Sequence, residues 1–460
     1  MCDADGSFSL HGDGFSRRRF LKVAGTGLVA SYFADVLEPR LLLADTTSAN
    51  VHLQNSARSC IFIFLAGAPS QTDLWDLKEG SWTPSDFAPT THGDVRWPQG
   101  LLGKNGDHLS RLSIIRCSMA WAAVHSLGQA WAQIARNPGG ATGSIAPHIG
   151  AVVSLESQAT RKPSEVLPGF IALNSGSIPT SGYLPAKYAP FGVQTASTGL
   201  SALQHPDGAA RFASRWDFLH RLDAARNNGS LGKRASDMDD FYDAGKQLMD
   251  TPTVNALFSF SDTEHARYGA SDFGDALVVA RNLVSSGMGA RFVQATLGGW
   301  DHHSDIYDAS ATSSLYTQCA QFDPAFAALL ADLSSTPGLT AGKTMLDDTL
   351  IVVVGEFGRT VGPLNNQGGR DHYLRNSVVL AGGGTRGGQI IGQTDAVGDK
   401  VTDYQWSGKR DVRPEDITCT MYSALGIDYT IMRTDDPLGR GFEYVPGAQL
   451  GEYVPVDELF

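Results

Sequence analysis

The chain is most constrained by a set of short, uninterrupted apolar runs rich in β-branched and aromatic residues. SCIFIFLA (59–66), ended by Gly67 and Pro69, is joined by SIIRCS (113–118), GFIALN (169–174), RFVQATL (291–297), TLIVVV (349–354) and SVVLAG (377–382). A strand with one face in water alternates apolar and polar residues. A run without that alternation is covered on both faces, as in a parallel sheet packed between helices. Helix-period stretches lie between the runs. In SDFGDALVVARNLVSSG, Phe273, Ala276, Leu277, Ala280, Leu283 and Val284 recur at helical spacing, Ser271 can cap the start, and Gly287 or Gly289 can close the end before RFVQATL. Strands alternating with helices predict an α/β layered fold with a largely parallel sheet.

With 42% hydrophobic and 18% charged residues over 460 positions, the chain can bury a large core, and disorder is excluded. Segments 80–110 and 136–168, rich in Pro, Gly, Ser and Thr, read as long surface loops. Residues 205–270, charged and partly helical, read as a covering insertion, and 431–460 as an irregular C-terminal tail. A net charge of -12 without clustered Lys and Arg argues against a nucleic-acid partner. It leaves room for a small anionic substrate, because a bound cation reverses the local field. Cys60, Cys117, Cys319 and Cys419 are dispersed, without C-x-x-C spacing, and are poor zinc ligands; Cys60 and Cys117 sit in strand runs as buried thiols.

The N-terminus reads SRRRFLK (16–22), followed by VAGTGLVASYFADVL. Twin arginines before x-Phe-Leu-Lys and a weakly apolar segment resemble a twin-arginine export signal over residues 1–44; cleavage after Ala44, where the preceding leucines fit the small-residue rule poorly, and an uncleaved anchor are both open. That address implies the twin-arginine translocase as a partner and a periplasmic or extracellular location. The segment carries Asp35, whereas a membrane span needs ~20 apolar residues, so no stable span is expected. Gly25, Gly27 and Ala30 have dinucleotide-fingerprint spacing, but no strand precedes them, and no nucleotide site is assigned there.

Open α/β folds place ligands just beyond the C-terminal ends of their parallel strands. Four such places carry polar residues: APSQTDLWD with Asp73 and Asp76, GGWDHHSD with Asp301, His302 and His303, GEFGRT with Glu356 and Arg359, and NNQGGRDHY with Arg370, Asp371 and His372. Each alone is explained by a cap or an ion pair. Carboxylates and imidazoles gathered at one sheet edge titrate abnormally unless a cation neutralises them. Oxygen and histidine donors suit zinc, manganese or iron, and oxygen-only sites suit magnesium or calcium. Arg359 or Arg370 can then hold a tetrahedral anion.

IFLAGAPSQTDLWDLK, LGGWDHHSD, VVVGEFGRT and GGRDHY resemble the corresponding phrases of exported bacterial proteins grouped as domain of unknown function 1501. These in turn are similar to the alkaline phosphatase and sulfatase superfamily. The resemblance spans about residues 55–430 and implies a three-layer α/β/α sandwich with two divalent ions (zinc, manganese, magnesium or calcium) at the strand ends. Carried over, it assigns Asp73 and Glu356 to one ion and Asp301, His303 and His372 to the other. A threonine commonly stands at the place of His302, so His302 is expected to point away. The superfamily's modified-cysteine phrase is not met by CSMAW at Cys117. At the nucleophile position of related families stands His125, in VHSLGQAWAQIARN, followed by Ser126; either is open as the reacting group, His125 equally as a ligand, and both equally as residues that only pack.

Two functions fit this constellation. The first is an exported metal-dependent hydrolase of phosphate or sulfate esters, with a small anionic, polysaccharide or lipid ester as substrate, in which His125, Ser126, Arg359 and Arg370 act on the ester. The second is a non-catalytic, metal-stabilised periplasmic binding protein of the same fold. An exported redox protein has no haem, iron–sulfur or nucleotide motif behind it.

Overall fold

The computed structural model describes residues 51–200, 207–226 and 232–460; residues 1–44, read from sequence as an export signal, lie outside them. All six apolar runs are strands of one sheet: β1 Ser59–Leu65, β2 Leu112–Met119, β3 Phe170–Leu173, β5 Phe292–Leu297, β6 Thr349–Val354 and β7 Arg375–Gly382. Two three-residue edge strands, β4 Phe191–Val193 and β8 Gln389–Ile391, complete the order β8-β2-β7-β6-β1-β5-β3-β4. Every neighbouring pair is parallel except the two made by β7, which runs antiparallel to β2 and β6. The sheet is therefore largely parallel, with one reversed strand.

The helices that matter below are α1 His125–Ile134, α2 Ile149–Glu156, α3 Ala209–Arg226, α4 Gly232–Asp250, α5 Asp272–Ser285, α6 Leu315–Ser335 and α7 Pro414–Ala424. Successive strand side chains point to opposite faces, and the core divides accordingly. Ile61, Ile63, Leu65, Val293, Ala295, Ile351 and Val353 join Leu277, Ala280 and Leu329 of α5 and α6. On the opposite face Phe62 and Phe170 pack on Phe292 with centroids 5.7 and 5.3 Å apart. There Phe62 and Val354 share a small cavity wall with Ile149 of α2 and with Ile417 and Met421 of α7. Helices on both faces make the predicted α/β/α sandwich. Each fully buried Leu, Ile or Phe contributes roughly 1.5–3 kcal/mol; all seven residues of β1 are buried, which fixes this strand as the sheet's spine. Ser271 caps α5 by accepting from Gly274 N, with Asp272 and Asp275 in the first turn where the helix dipole favours acids.

Some expectations need correction. Segment 80–110 contains an antiparallel hairpin, Pro89–His92 with Val95–Pro98, and buries Phe87, Trp97, Leu101 and Leu102. Segment 136–168 contains α2, buried from Ile149 through Ser154. The sequence IGAVVSLE has no polar face, so it lacks the 3.6-residue alternation by which a surface helix is recognised. Within 205–270, α3 and the described part of α4 are largely exposed. The last thirty residues are irregular, as expected, yet bury Phe442, Tyr444, Val445, Val456 and Leu459. Cys60, Cys117, Cys319 and Cys419 are free and buried. Among the described residues no helix is long and apolar enough to cross a membrane.

Candidate metal centre

The reversed strand decides the site. Met119 at the end of β2 lies opposite Arg375 at the start of β7, Phe64 beside Val354, and Leu65 beside Leu297. The C-terminal ends of β1, β2, β5 and β6 and the N-terminal end of β7 thus share one edge. His125 follows β2, Asp301 and His303 follow β5, Glu356 and Arg359 follow β6, and His372 immediately precedes β7. A two-residue ladder pairs His372 with Arg359 and Tyr373 with Gly358, and an isolated bridge joins Ser304 to Gly368. Backbone packing here is close. A Cβ on Gly67, at φ +112°, would lie 2.6 Å from Asp301 N, and one on Gly369 would lie 2.1 Å from the His303 carbonyl carbon. These contacts explain the glycines of FLAG and GGRDH.

Four side chains converge: His125, Asp301, His303 and His372 each offer one donor atom, all within 4.8 Å of one another. Asp301 Oδ1 lies 3.1 Å from His125 Nε2, 3.1 Å from His303 Nε2 and 3.7 Å from His372 Nε2. The two Nε2 atoms of His303 and His372 are 2.9 Å apart. Donors arranged tetrahedrally around an ion at ~2.0–2.1 Å would stand ~3.3 Å from one another, close to these separations.

The outer faces of the rings fix their tautomers. His125 Nδ1 lies 2.7 Å from Glu356 Oε1, His303 Nδ1 3.0 Å from Asp371 Oδ1, and His372 Nδ1 2.7 Å from the Ala123 carbonyl. A carbonyl or carboxylate oxygen accepts, so each Nδ1 carries the proton and each neutral ring turns an Nε2 lone pair inward. Three lone pairs and a carboxylate oxygen facing one point repel one another without a cation. Rings held from behind by oxygen acceptors are the usual second layer of a histidine metal site. Glu356 Oε1 is itself fixed by Gly67 N at 2.9 Å and Gln129 Nε2 at 3.0 Å.

Charge is distributed to match. Burial works to raise the Asp301 carboxyl, but the Arg359 guanidinium and the flanking histidines outweigh it and hold it below the ordinary carboxylate range. Hydrogen bonding to Glu356 raises His125 against a partial burial penalty, whereas burial lowers His372. The His303 bond keeps Asp371 low. The cluster is open to water: Asp301 and His303 side chains are 48% and 41% exposed.

The expected residues are thus divided differently from the two-ion assignment. Asp73 and Glu356 bond different partners: Glu356 meets Gly67, His125 and Gln129, whereas Asp73 pairs with Arg370. Its carboxylate is buried against Arg370, with Nε at 2.8 Å and Nη2 at 3.1 Å, and also accepts from Tyr307 Oη and Ser70 Oγ, both at 2.7 Å. Arg370 completes its five N–H bonds with the Thr360 and Gly362 carbonyls and Tyr307 Oη. A fully buried guanidinium with every donor engaged has none left for an anion, so Arg370 ties loops together. Arg359 is also fully buried; it reaches Asp301 Oδ1 at 2.5 Å and His303 Nε2 at 3.3 Å, and bonds the Ala68, Gly67 and Arg370 carbonyls. It orients the ligands. Glu356 stands behind His125, and Ser126 is exposed on the first turn of α1 with no side-chain bond to the cluster. His302 is buried, outside the four, and desolvation pushes its imidazole down to about 4. Asp76 pairs with Lys78 and Arg116.

Asp371, Gln129 and the Ala123 carbonyl were not assigned from sequence. Asp371 was visible in GGRDHY; Gln129 lies one helical turn after His125 and has no motif of its own, and a backbone carbonyl leaves no residue signal.

Comparison with solved structures finds chains similar in fold. Two forms of Ps i-CgsB are among them, one in complex with k-i-k-neocarrahexaose, at a TM-score of 0.40 and 10% identity over 86% of this chain and 77% of that one. The lipoteichoic acid synthase LtaP from Listeria monocytogenes aligns at a TM-score of 0.37 and 11% identity over 90% and 81%. A protein in the alkaline phosphatase superfamily from Vibrio parahaemolyticus aligns at 0.34 and 9% over 87% and 76%. No curated protein sequence matches the chain. The family profile described as "Protein of unknown function (DUF1501)" matches residues 57–452, and the chain belongs to that family.

Proposed function

We propose that this protein is a metal-dependent hydrolase of phosphate or sulfate esters, exported by the twin-arginine pathway and working in the periplasm or outside the cell. In this reading residues 1–44 are the signal, 55–430 the working α/β domain with 205–270 inserted, and 431–460 its C-terminal tail. The observation that carries it is the set of three inward Nε2 lone pairs and one carboxylate oxygen, open to water at the sheet edge. One divalent cation at this set fits the donors; the acids assigned to a second are engaged with Arg370 and His125. Mixed nitrogen and oxygen donors favour zinc or manganese over magnesium or calcium.

When bound, such an ion supplies a Lewis acid beside the ester oxygens. The chain's own residues do the rest. Glu356, Asp371 and the Ala123 carbonyl hold the three Nδ1 protons outside the cluster, so the imidazoles present lone pairs. Arg359 fixes Asp301, and its charge lies beside the place where negative charge develops. His125 is a ligand in this reading rather than the nucleophile. Purified full chain should hydrolyse 4-nitrophenyl phosphate or sulfate, lose activity on chelation and regain it with zinc or manganese. Absence of turnover on both esters with stoichiometric metal bound would sink the hydrolase reading.

One observation favours the non-catalytic alternative: among the described residues no thiol joins the four donors and no hydroxyl hydrogen-bonds to them, and four protein donors fill a tetrahedral ion. That alternative predicts metal-dependent thermal stability with no turnover.

A further inference from the structure

Beside the cluster, the loop between β2 and α1 carries an aromatic surface with no role in holding the four donors. Ala123 of this loop accepts the His372 Nδ1 bond, and Ala120 N donates to the Leu374 carbonyl just beyond His372. Trp121 is 41% exposed and Val124 58%. Trp121 stacks on Trp131 of α1, with centroids 6.0 Å apart and planes 26° from parallel. Both indoles are locked by one carboxylate: Glu415 accepts from Trp131 Nε1 at 2.7 Å and Trp121 Nε1 at 2.9 Å. Glu415 is buried, and a buried carboxylate held chiefly by indole donors is a costly way to satisfy two N–H groups that water would serve at the surface. What the arrangement fixes is ring orientation.

A cation completes the surface. Arg413 Cζ lies 3.9 Å from the Trp121 ring centroid, and its Nη1 is anchored to the Met119 and Ala120 carbonyls. Its Nε and Nη2 donate to no protein acceptor among the described residues, which leaves free N–H groups on a guanidinium that lies over part of the indole face. We propose that Trp121, Trp131 and Arg413 form a subsite for a sugar ring bearing a sulfate or phosphate group, next to the four-donor cluster. The flat C–H face of a pyranose packs on an indole, and the anionic substituent takes the charge-assisted donors of Arg413. A lipid tail fits less well: Trp121, Val124 and the 36%-exposed Leu374 make a small patch edged by a cation, and a net charge of -12 opposes an anionic bilayer.

The subsite's link to catalysis rests on the hydrolase reading, but its occupancy does not. Binding of galactose 6-sulfate, N-acetylglucosamine 6-sulfate and glucose 6-phosphate to the full chain is measured by calorimetry, with glucose and phosphatidylglycerol vesicles as comparators. We expect at least one anionic sugar to bind, tenfold or more weakly in Trp121→Ala, with metal content and circular dichroism unchanged. Arg413→Gln should abolish the preference over glucose; because Arg413 also holds β2 carbonyls, Trp131→Phe, which keeps the ring and loses the Glu415 bond, is the second variant and should weaken binding severalfold. No binding by any of the three sugars, affinity unaffected by Trp121→Ala, or binding to vesicles alone overturns the subsite. Trp121-dependent sugar binding by a metal-loaded protein that hydrolyses nothing keeps the subsite and rejects the hydrolase; ester hydrolysis without sugar binding does the reverse.

Discussion

Substituting Asp73 separates the two roles assigned to it. As a metal ligand, Asp73→Asn should cost the protein a bound ion and little stability. The structure predicts the opposite. Asp73 receives four hydrogen bonds, two of them from the fully buried Arg370 guanidinium, which joins the loop after β1 to Tyr307 beyond β5 and to Thr360 and Gly362 beyond β6. Removing the charge leaves a guanidinium with 0% side-chain exposure uncompensated. Breaking a buried pair in this way costs about 3–5 kcal/mol, because the surviving charge has neither water nor a counter-ion. Urea unfolding followed by circular dichroism should show a lowered midpoint with little change in slope. Elemental analysis of the folded variant should show wild-type metal content. A stability loss below ~1 kcal/mol, or loss of one ion from a protein of normal stability, would refute the account of Asp73 and restore its reading as a ligand.

Other consequences follow from the same geometry. Glu356→Gln keeps an acceptor for His125 but removes the charge behind it, and should weaken cation affinity by about 10–100-fold, as second-layer changes do; competition with a chelating dye reads this. Ser126→Ala should leave any ester turnover within about twofold, as expected for a surface substitution away from the chemistry; complete loss would make Ser126 the nucleophile after all. His148, buried at the start of α2, has its pKa pushed down to about 3 by burial, partly countered by Gln294. Its unfolded value is ~6.5, so the unfolded chain takes up a proton below that pH while the folded chain does not until about 3. Stability is full above ~6.5 and falls as the solution is acidified; between pH 7 and 5.5 this residue alone removes about 1.3 kcal/mol. His148→Gln should lose correspondingly less over that interval, and an unchanged pH slope would contradict the assignment.

The sheet was legible because an unbroken apolar run of six to eight residues is too short for a buried helix and suits a strand covered on both faces. Thus β6 was read residue for residue and the other five long strands to within two residues at either end. The three-residue β4 and β8 were not, since neither exceeds the length at which strand and loop sequences differ. Nor was the reversal of β7, because SVVLAG looks the same whichever way it runs. That reversal mattered most for the site, since it brings His372 to the edge where the other donors emerge. Motif phrases located Asp301, His303 and His372, but residue type alone could not separate an acid that faces the cluster from one that faces an arginine. Asp73 and Arg370 are each plausible alone; only their mutual bidentate contact accounts for both. His125 had three open roles, and the 2.7 Å bond to Glu356 behind its ring, with Nε2 turned to Asp301, fits that of the proposed ligand.

The central claim is that His125, Asp301, His303 and His372 hold one divalent cation. Elemental analysis of the full chain, reconstituted with zinc or manganese and freed of excess by gel filtration, tests it directly. The account predicts one ion per chain in the wild type, and none in His303→Ala or His372→Ala proteins that retain wild-type circular dichroism. No ion in the wild type, or an ion that survives both substitutions, would contradict it.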